Sequence, residues 1–202
     1  MTSVPAASIR EPLVDDRATR HPASWWGMVW LCATEGMLFA CLIASYFFLR
    51  GAAEAFLEGG GKYPSLGVPL VMTGVLLSSS VSLWWAERGI RQGKLGQLRT
   101  GLLVTFALGV LFLVLQGTEY AARPFGPATS ANESIFYATT GLHGAHVAFG
   151  LLMNLFVQGL VWRGRIDSQR YVAVRNFALY WHFVDAVWVT ILLALYISPR
   201  LW

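Results

Sequence analysis

Hydrophobic positions in this chain run together in long blocks instead of recurring in short stripes. Five blocks stand out, at 25–49, 67–86, 100–119, 133–161 and 176–197, separated by short polar stretches or stretches rich in Gly and Pro. About 20 apolar residues are what an α-helix needs to cross about 30 Å of hydrocarbon. Only helices and closed barrels satisfy every backbone group in lipid, and these blocks lack the alternation of barrel strands. The pattern predicts an all-α membrane protein, a bundle of five transmembrane helices forming one domain over 25–202. Residues 1–24, with Pro5, Pro12 and Pro22 among mixed charges, predict a loosely ordered N-terminal arm.

Local signals set the punctuation. Gly59-Gly60-Gly61 and Tyr63-Pro64-Ser65 predict turns after the first helix, with Ser65 capping the second and Pro69 in its first turn. Pro124 and Pro127 part the third and fourth helices, and Asn132 is the expected cap of the fourth. Loops this short predict antiparallel neighbours.

Composition agrees with the pattern: the 202 residues are 55% hydrophobic and 13% charged, where a soluble domain carries about 25% charged residues. The formal charge of +4 is a topology signal and gives no reason to expect nucleic acid. With the N-terminus inside, the inner segments hold Arg10, Arg17, Arg20, Arg88, Arg91, Lys94, Arg99, Arg163, Arg165, Arg170 and Arg175; the outer segments hold only Arg50, Lys62, Arg123 and Arg200. This positive-inside bias predicts a cytoplasmic N-terminus and an outside C-terminus. Trp25, Trp26, Trp84, Trp85 and Trp162 mark the inner interface, and Tyr46, Tyr63, Tyr120, Tyr137 and Tyr196 the outer one. Cys32 and Cys41 lie nine residues apart on different faces of one helix, so no bridge is expected. No cleavable signal peptide is expected, because the start is polar and the first apolar block is too long.

Small residues four apart predict close helix packing at Gly74, Ser78 and Ser82, at Gly101, Thr105 and Gly109, and at Gly144 and Ala148. Packing within the chain is the first expectation there, contact with another subunit the second.

Chemistry enters at membrane depth. Glu35 lies about ten residues into helix one; His182 and Asp185 lie a turn apart on helix five; His143 and His146 lie on helix four. At about 1.5 Å per residue all five fall within about a turn of the midplane. A charge there costs at least about 2.5–3.5 kcal/mol, so each group must be neutral, paired or facing water. Three readings compete. One is a buried hydrogen-bonded cluster, with Asp185 and His182 meeting the imidazoles of helix four. Another is a proton-linked or lipid-facing role for Glu35, which stands alone on its helix, so its partner must come from elsewhere. A metal site on His143, His146 and His182 is the third; four histidines in all are too few for haems and copper, and no metal is expected. Phosphate loops, nucleophile elbows and Cys-x-x-Cys pairs are absent from the sequence, so no catalytic residues are expected. At the inner headgroup level Arg163, Arg165, Arg170 and Arg175 with Trp162 form a basic patch that suits a lipid phosphate or serves topology alone.

These residues resemble a family. Tyr180-Trp181-His182-Phe183-Val184-Asp185 with Val187-Trp188 is similar to the C-terminal signature of cytochrome c oxidase subunit III, and Thr140-Gly141-Leu142-His143-Gly144-Ala145-His146-Val147 through Gly150 to its second motif. Thr34-Glu35 to Phe39, Gln116-Gly117-Thr118-Glu119-Tyr120, and Val68-Pro69-Leu70 with Thr73 resemble three further segments, in order from about residue 25 to 197. Longer members have two more N-terminal helices, so the resemblance is to the short five-helix bacterial form, whose lipid cleft is expected to be open or covered by another subunit.

The resemblance implies an accessory, non-catalytic subunit of a proton-pumping haem-copper terminal oxidase in a bacterial inner membrane. Haems and copper would reside in partner subunits and cytochrome c would be the donor. This chain would pack against subunit I, with subunit II and a small fourth subunit nearby and a respiratory supercomplex as the wider setting. It would hold structural phospholipid, sustain proton uptake and protect the oxidase from inactivation during turnover. Carried across by position, Glu35 matches the family's buried helix carboxylate, His143 and His146 its second motif, His182 and Asp185 its terminal signature, and Arg163 and Arg165 the basic loop near lipid. The same subunit in a quinol oxidase, or a relative accompanying nitric oxide reductase, is the nearest alternative. A proton-coupled transporter built on Glu35 and Asp185 is the alternative of a different class.

Overall fold

The computed structural model describes residues 22–52, 66–123 and 130–201, with Gly126 and Ala128 between the last two segments. The N-terminal arm up to residue 21, the glycine run, Ser65, Pro124 and Pro127 lie outside the described residues. Five helices follow in order: α1 (Ala23–Ala52), α2 (Gly67–Arg91), α3 (Leu95–Ala122), α4 (Ala131–Trp162) and α5 (Val172–Ile191). All five are long and apolar enough to cross a membrane. The chain continues from α5 as a π-helical turn over Leu192–Ile197 and a 3-10 turn over Ser198–Arg200.

The helices extend past the apolar blocks. Arg88 and Arg91 lie on the last turns of α2 and Arg99 in the first turns of α3, leaving Gln92, Gly93 and Lys94 to reverse the chain. Gly93 makes that reversal possible at φ +73°, a left-handed conformation in which a side chain is strained. The cap of α4 is Ser130, whose hydroxyl accepts from the Glu133 amide at 3.2 Å. Asn132, the residue expected to cap, is already inside the helix. Ser130 takes the role because its extended backbone aims its oxygen at the first free amides.

Hydroxyls on exposed faces are satisfied by their own helices. Thr34 donates to Leu31 O, Ser45 to Cys41 O, Ser78 to Gly74 O and Thr190 to Ala186 O, each at 2.7–2.9 Å. Each hydroxyl thus bonds to a carbonyl about one turn earlier and leaves no free donor facing hydrocarbon.

Sequence neighbours α2–α3, α3–α4 and α4–α5 pack side by side, α5 also lies on α2, and α1 lies against α4 and α5. The α2–α3 pair is the tightest. A Cβ on Gly101 would stand 2.5 Å from Ala86 Cβ and 3.0 Å from Ser82 O, and the Ser82 hydroxyl donates to Gly101 O. Helix α5 forms the core: Phe177, Trp181, Val184, Trp188 and Ile191 are almost wholly buried. Trp181 keys three helices together. Its ring lies where side chains on Gly109 of α3 and Gly150 of α4 would stand, and its Nε1 donates to Ser79 Oγ of α2 at 2.9 Å.

Candidate functional site

The membrane-depth residues separate into three environments, set by which face of α4 or α5 carries them. On the outer flank of α4, His146 meets Glu35 of α1, with Nε2 and Oε2 3.1 Å apart. The partner that Glu35 requires from elsewhere is therefore His146. The other ring nitrogen, Nδ1, lies 2.8 Å from Leu142 O. A carbonyl can only accept, so Nδ1 carries a hydrogen. Nε2 then either accepts from a protonated Glu35 or, as part of an imidazolium, donates to its carboxylate. One proton is shared along Nε2–Oε2 and the pair is net neutral in both arrangements, the condition that membrane depth imposes. Glu35 keeps 30% of its side chain exposed on the outer surface of the bundle, against 13% for His146.

The second environment lies between α2 and α5. Ser80 Oγ is 2.8 Å from His182 Nδ1 and donates to Asp185 Oδ2. With its hydrogen committed to Asp185, the hydroxyl accepts from His182 Nδ1–H. Asp185 is buried, and its second oxygen has no hydrogen-bond partner among the described residues. The expected meeting of Asp185 and His182 with the imidazoles of helix four does not occur. These two residues sit three apart on the face turned to α2. The face of α5 turned to α4 is occupied by aromatic side chains: Tyr180 donates to His146 O at 3.1 Å, and Trp181 fills the space beside Gly150.

His143 makes the third environment. It is fully buried, and neither ring nitrogen has a hydrogen-bond partner among the described residues. Its ring stands 5.2 Å from Trp188, 5.7 Å from Phe112 and 6.3 Å from Phe39, centroid to centroid. His143 and His146 share no ligand, since one faces the aromatic core and the other α1. Among the described residues no group of three or more His, Cys, Asp or Glu side chains is placed to hold a metal.

Two features lay beyond sequence reasoning. Ser80 is one of three consecutive serines, and nothing in the sequence marks it as the one between His182 and Asp185. At the far end of the bundle, Glu119 accepts from Arg123 at 3.0 Å and from Tyr196 OH at 3.1 Å, while Arg123 also lies 3.9 Å from Glu133 and over the Phe136 ring. The π turn puts Tyr196 there. Eight residues of regular helix would carry it about 80° past Trp188; the wider turn brings it back, with ring centroids 6.4 Å apart. The spacing of Glu119 and Arg123, i and i+4, was the available signal, masked because Glu119 closes an apolar block.

Arg163 and Arg165 sit apart from all of these, exposed at the other end of the bundle where α4 ends. Gly164 between them turns the chain at φ +66°, and Ile166 is buried as the anchor of that loop.

Residues 18–200 match the family model for cytochrome c oxidase subunit III. The chain is 33% identical over 190 residues to cytochrome c oxidase subunit 3 of Thermostichus vulcanus, covering 92% of each chain. It is 32% identical to that of Lumbricus terrestris and 33% identical to that of Homo sapiens, in each case over 85% of this chain and 68% of the relative. A match over nearly the whole chain, together with five helices able to cross a membrane, places this multi-pass membrane protein in the cytochrome c oxidase subunit III family, as an accessory subunit that assembles with other subunits of a haem-copper oxidase.

Proposed function

We propose that the chain is a non-catalytic scaffold of a proton-pumping terminal oxidase in a bacterial inner membrane. In this reading it packs against the haem-bearing subunit I, with subunit II and a small fourth subunit in the same complex, and cytochrome c as donor. Its N-terminus lies in the cytoplasm and its C-terminus outside. Haems and copper reside in the partners. Glu35, His143, His146, His182 and Asp185 hold the membrane helices in register and keep the proton-uptake side of the complex ordered. Arg163 and Arg165, at the basic end, face structural phospholipid.

The observation that carries this reading is how the ionisable groups at membrane depth are used. Glu35 with His146 ties α1 to α4, and Ser80 with His182 and Asp185 ties α2 to α5. His143 is enclosed by rings from α1, α3 and α5. Glu35, His146, His182 and Asp185 thus bond to another helix of the same chain and His143 packs among rings, as a scaffold requires. The test is gentle detergent purification of the tagged chain, followed by subunit identification and a reduced-minus-oxidised optical spectrum. Haem bands in stoichiometric amount with a many-helix partner are expected, and donor assays then separate cytochrome c from quinol. A colourless chain purifying alone, under conditions where the host oxidase survives intact, overturns the reading.

A further inference from the structure

The arginines of this protein are not equally provided for. Arg91 pairs with Glu87 at 2.5 Å, Arg123 with Glu119 at 3.0 Å, and Arg50 donates to Ser198 Oγ at 2.8 Å. Arg163 and Arg165 are exposed, where water solvates a guanidinium at no cost. Arg99 has neither arrangement. It is half-buried in the first turns of α3, no carboxylate lies within ion-pair distance among the described residues, and its Nε is buried without a hydrogen-bond partner. Among the described residues its partner is an aromatic face: the guanidinium carbon stands 5.2 Å from the ring centroid of Trp162, the last residue of α4.

The two helices that carry the pair are fastened to each other nearby. Asn154, Gln158 and Trp162 follow one another at four-residue spacing along α4 and so share a face. Asn154 Nδ2 donates to Leu102 O of α3 at 3.3 Å, and Gln158 Nε2 donates to Asn154 Oδ1 at 2.5 Å. This buried seam fastens α4 to α3 about one turn from Arg99, so the helix ends that carry the arginine and the indole stay side by side. An unpaired charge removed from water is costly. A ring face contributes about 0.5–2 kcal/mol of attraction but no counter-charge. A planar guanidinium backed by an indole at headgroup level, with Arg163 directly after that indole in sequence, has the chemistry that takes a phosphate oxygen.

We infer that Arg99 and Trp162 form a phosphate-binding site at the α3–α4 end of the bundle, occupied by the headgroup of an anionic phospholipid. The site rests on the reading that the basic end lies at headgroup level. Within that reading it assigns the firm contact to Arg99 in place of Arg163 and Arg165, which supply only surrounding charge.

The test uses the intact oxidase complex, purified from cells carrying Arg99→Gln, Trp162→Leu or the pair Arg163→Gln/Arg165→Gln. Bound phospholipid is counted and identified by mass spectrometry and normalised to haem. Arg99→Gln is expected to lower retention of one anionic phospholipid by about tenfold, the loss of a charge-assisted contact, with Trp162→Leu smaller in the same direction and the double variant near wild type. Should Arg99→Gln fail to assemble, Trp162→Leu decides on its own. Unchanged lipid in both single variants overturns the inference. If only the double variant loses lipid, this site is wrong and the basic loop is the lipid contact; if none of the variants loses lipid, the headgroup-level reading falls too. Displacement of the retained lipid by millimolar inorganic phosphate identifies a free-anion site and overturns the lipid assignment.

Discussion

The apolar spans of α1 (Ala23–Gly51) and of α5 with the turns that follow it (Val172–Arg200) have the same length and apolarity, yet they are built for opposite tasks. In the spanning window of α5, 61% of residues are buried inside the protein, against 11% for α1. Helix α5 lies against α1, α2 and α4, and carries the large rings of the core. Helix α1 lies chiefly against α4 and α5, and turns Trp26, Trp30, Met37 and Phe48 outward. In lipid, apolar surface gives no drive for helices to associate, so packing and hydrogen bonds decide which helix is central. Helix α5 has both: the glycines of α3 and α4 admit Trp181, and Ser79, Ser80 and Thr73 of α2 take polar atoms of Trp181, Asp185 and Trp188. For α1, polar side-chain ties to the rest of the bundle include Glu35–His146 at depth and Arg50–Ser198 at one end. Hydropathy reads both helices alike, while burial tells a core helix from an outboard one.

The contrast breaks most severely where α5 is keyed in. A Cβ on Gly150 would stand 2.8 Å from Trp181 Cζ3 and 3.3 Å from the Tyr180 ring, so Gly150→Val forces two buried rings to move. Overpacking of this kind costs about 1–3 kcal/mol or more. We expect the assembled oxidase to be largely lost, read as haem-normalised recovery of the tagged chain. The control lies on α1: nothing is within 4 Å of a Cβ on Gly27, and Gly27→Val is expected to recover like wild type. Equal losses in the two variants would abolish the distinction between core and outboard helix.

A step smaller is the polar tie of α5 to α2. Asp185→Ala removes the acceptor of the Ser80 hydroxyl, at a cost of about 1–3 kcal/mol. Asp185→Asn keeps an acceptor oxygen there and should lose about half as much. Thermal unfolding of the purified complex checks both, and the order Ala below Asn below wild type is the expected outcome.

These predictions also mark how far the sequence could be read. Block length and the absence of alternation were enough for five helices, because lipid leaves so few backbone solutions. Depth alone singled out Glu35, His143, His146, His182 and Asp185, because an ionisable group in hydrocarbon always needs an account. Which of them meet could not be read, since that depends on the rotation of each helix about its axis. Asp185 turns to α2 and His146 to α1, and no spacing within one helix fixes the rotation of the next. The small-residue seams show the same limit. Gly101 and Thr105 contact α2, and Gly109 lies against α4 and α5, while Gly74 and Ser78 are on an open face and only Ser82 of that trio meets α3. The π turn was likewise hidden, because LLALYI reads as ordinary apolar helix.

The smallest expected effect is at the tie of α1, and it resolves where the shared proton sits. If Glu35 is protonated and donates to His146 Nε2, then Glu35→Gln supplies an amide N–H at nearly the same place. The imidazole keeps its Nδ1 bond to Leu142 O, no charge changes, and assembly should fall by less than about 1 kcal/mol. If the pair is instead an imidazolium with a carboxylate, the amide leaves a positive ring at membrane depth. That costs at least about 2.5–3.5 kcal/mol or drives the proton off. Near-normal recovery of Glu35→Gln complex, beside a visible loss for Glu35→Ala, therefore shows that a neutral bond is enough to hold α1 and fits the proton on Glu35. Loss of assembly in Glu35→Gln itself assigns it to His146, and α1 would then be held by an ion pair instead of a neutral bond.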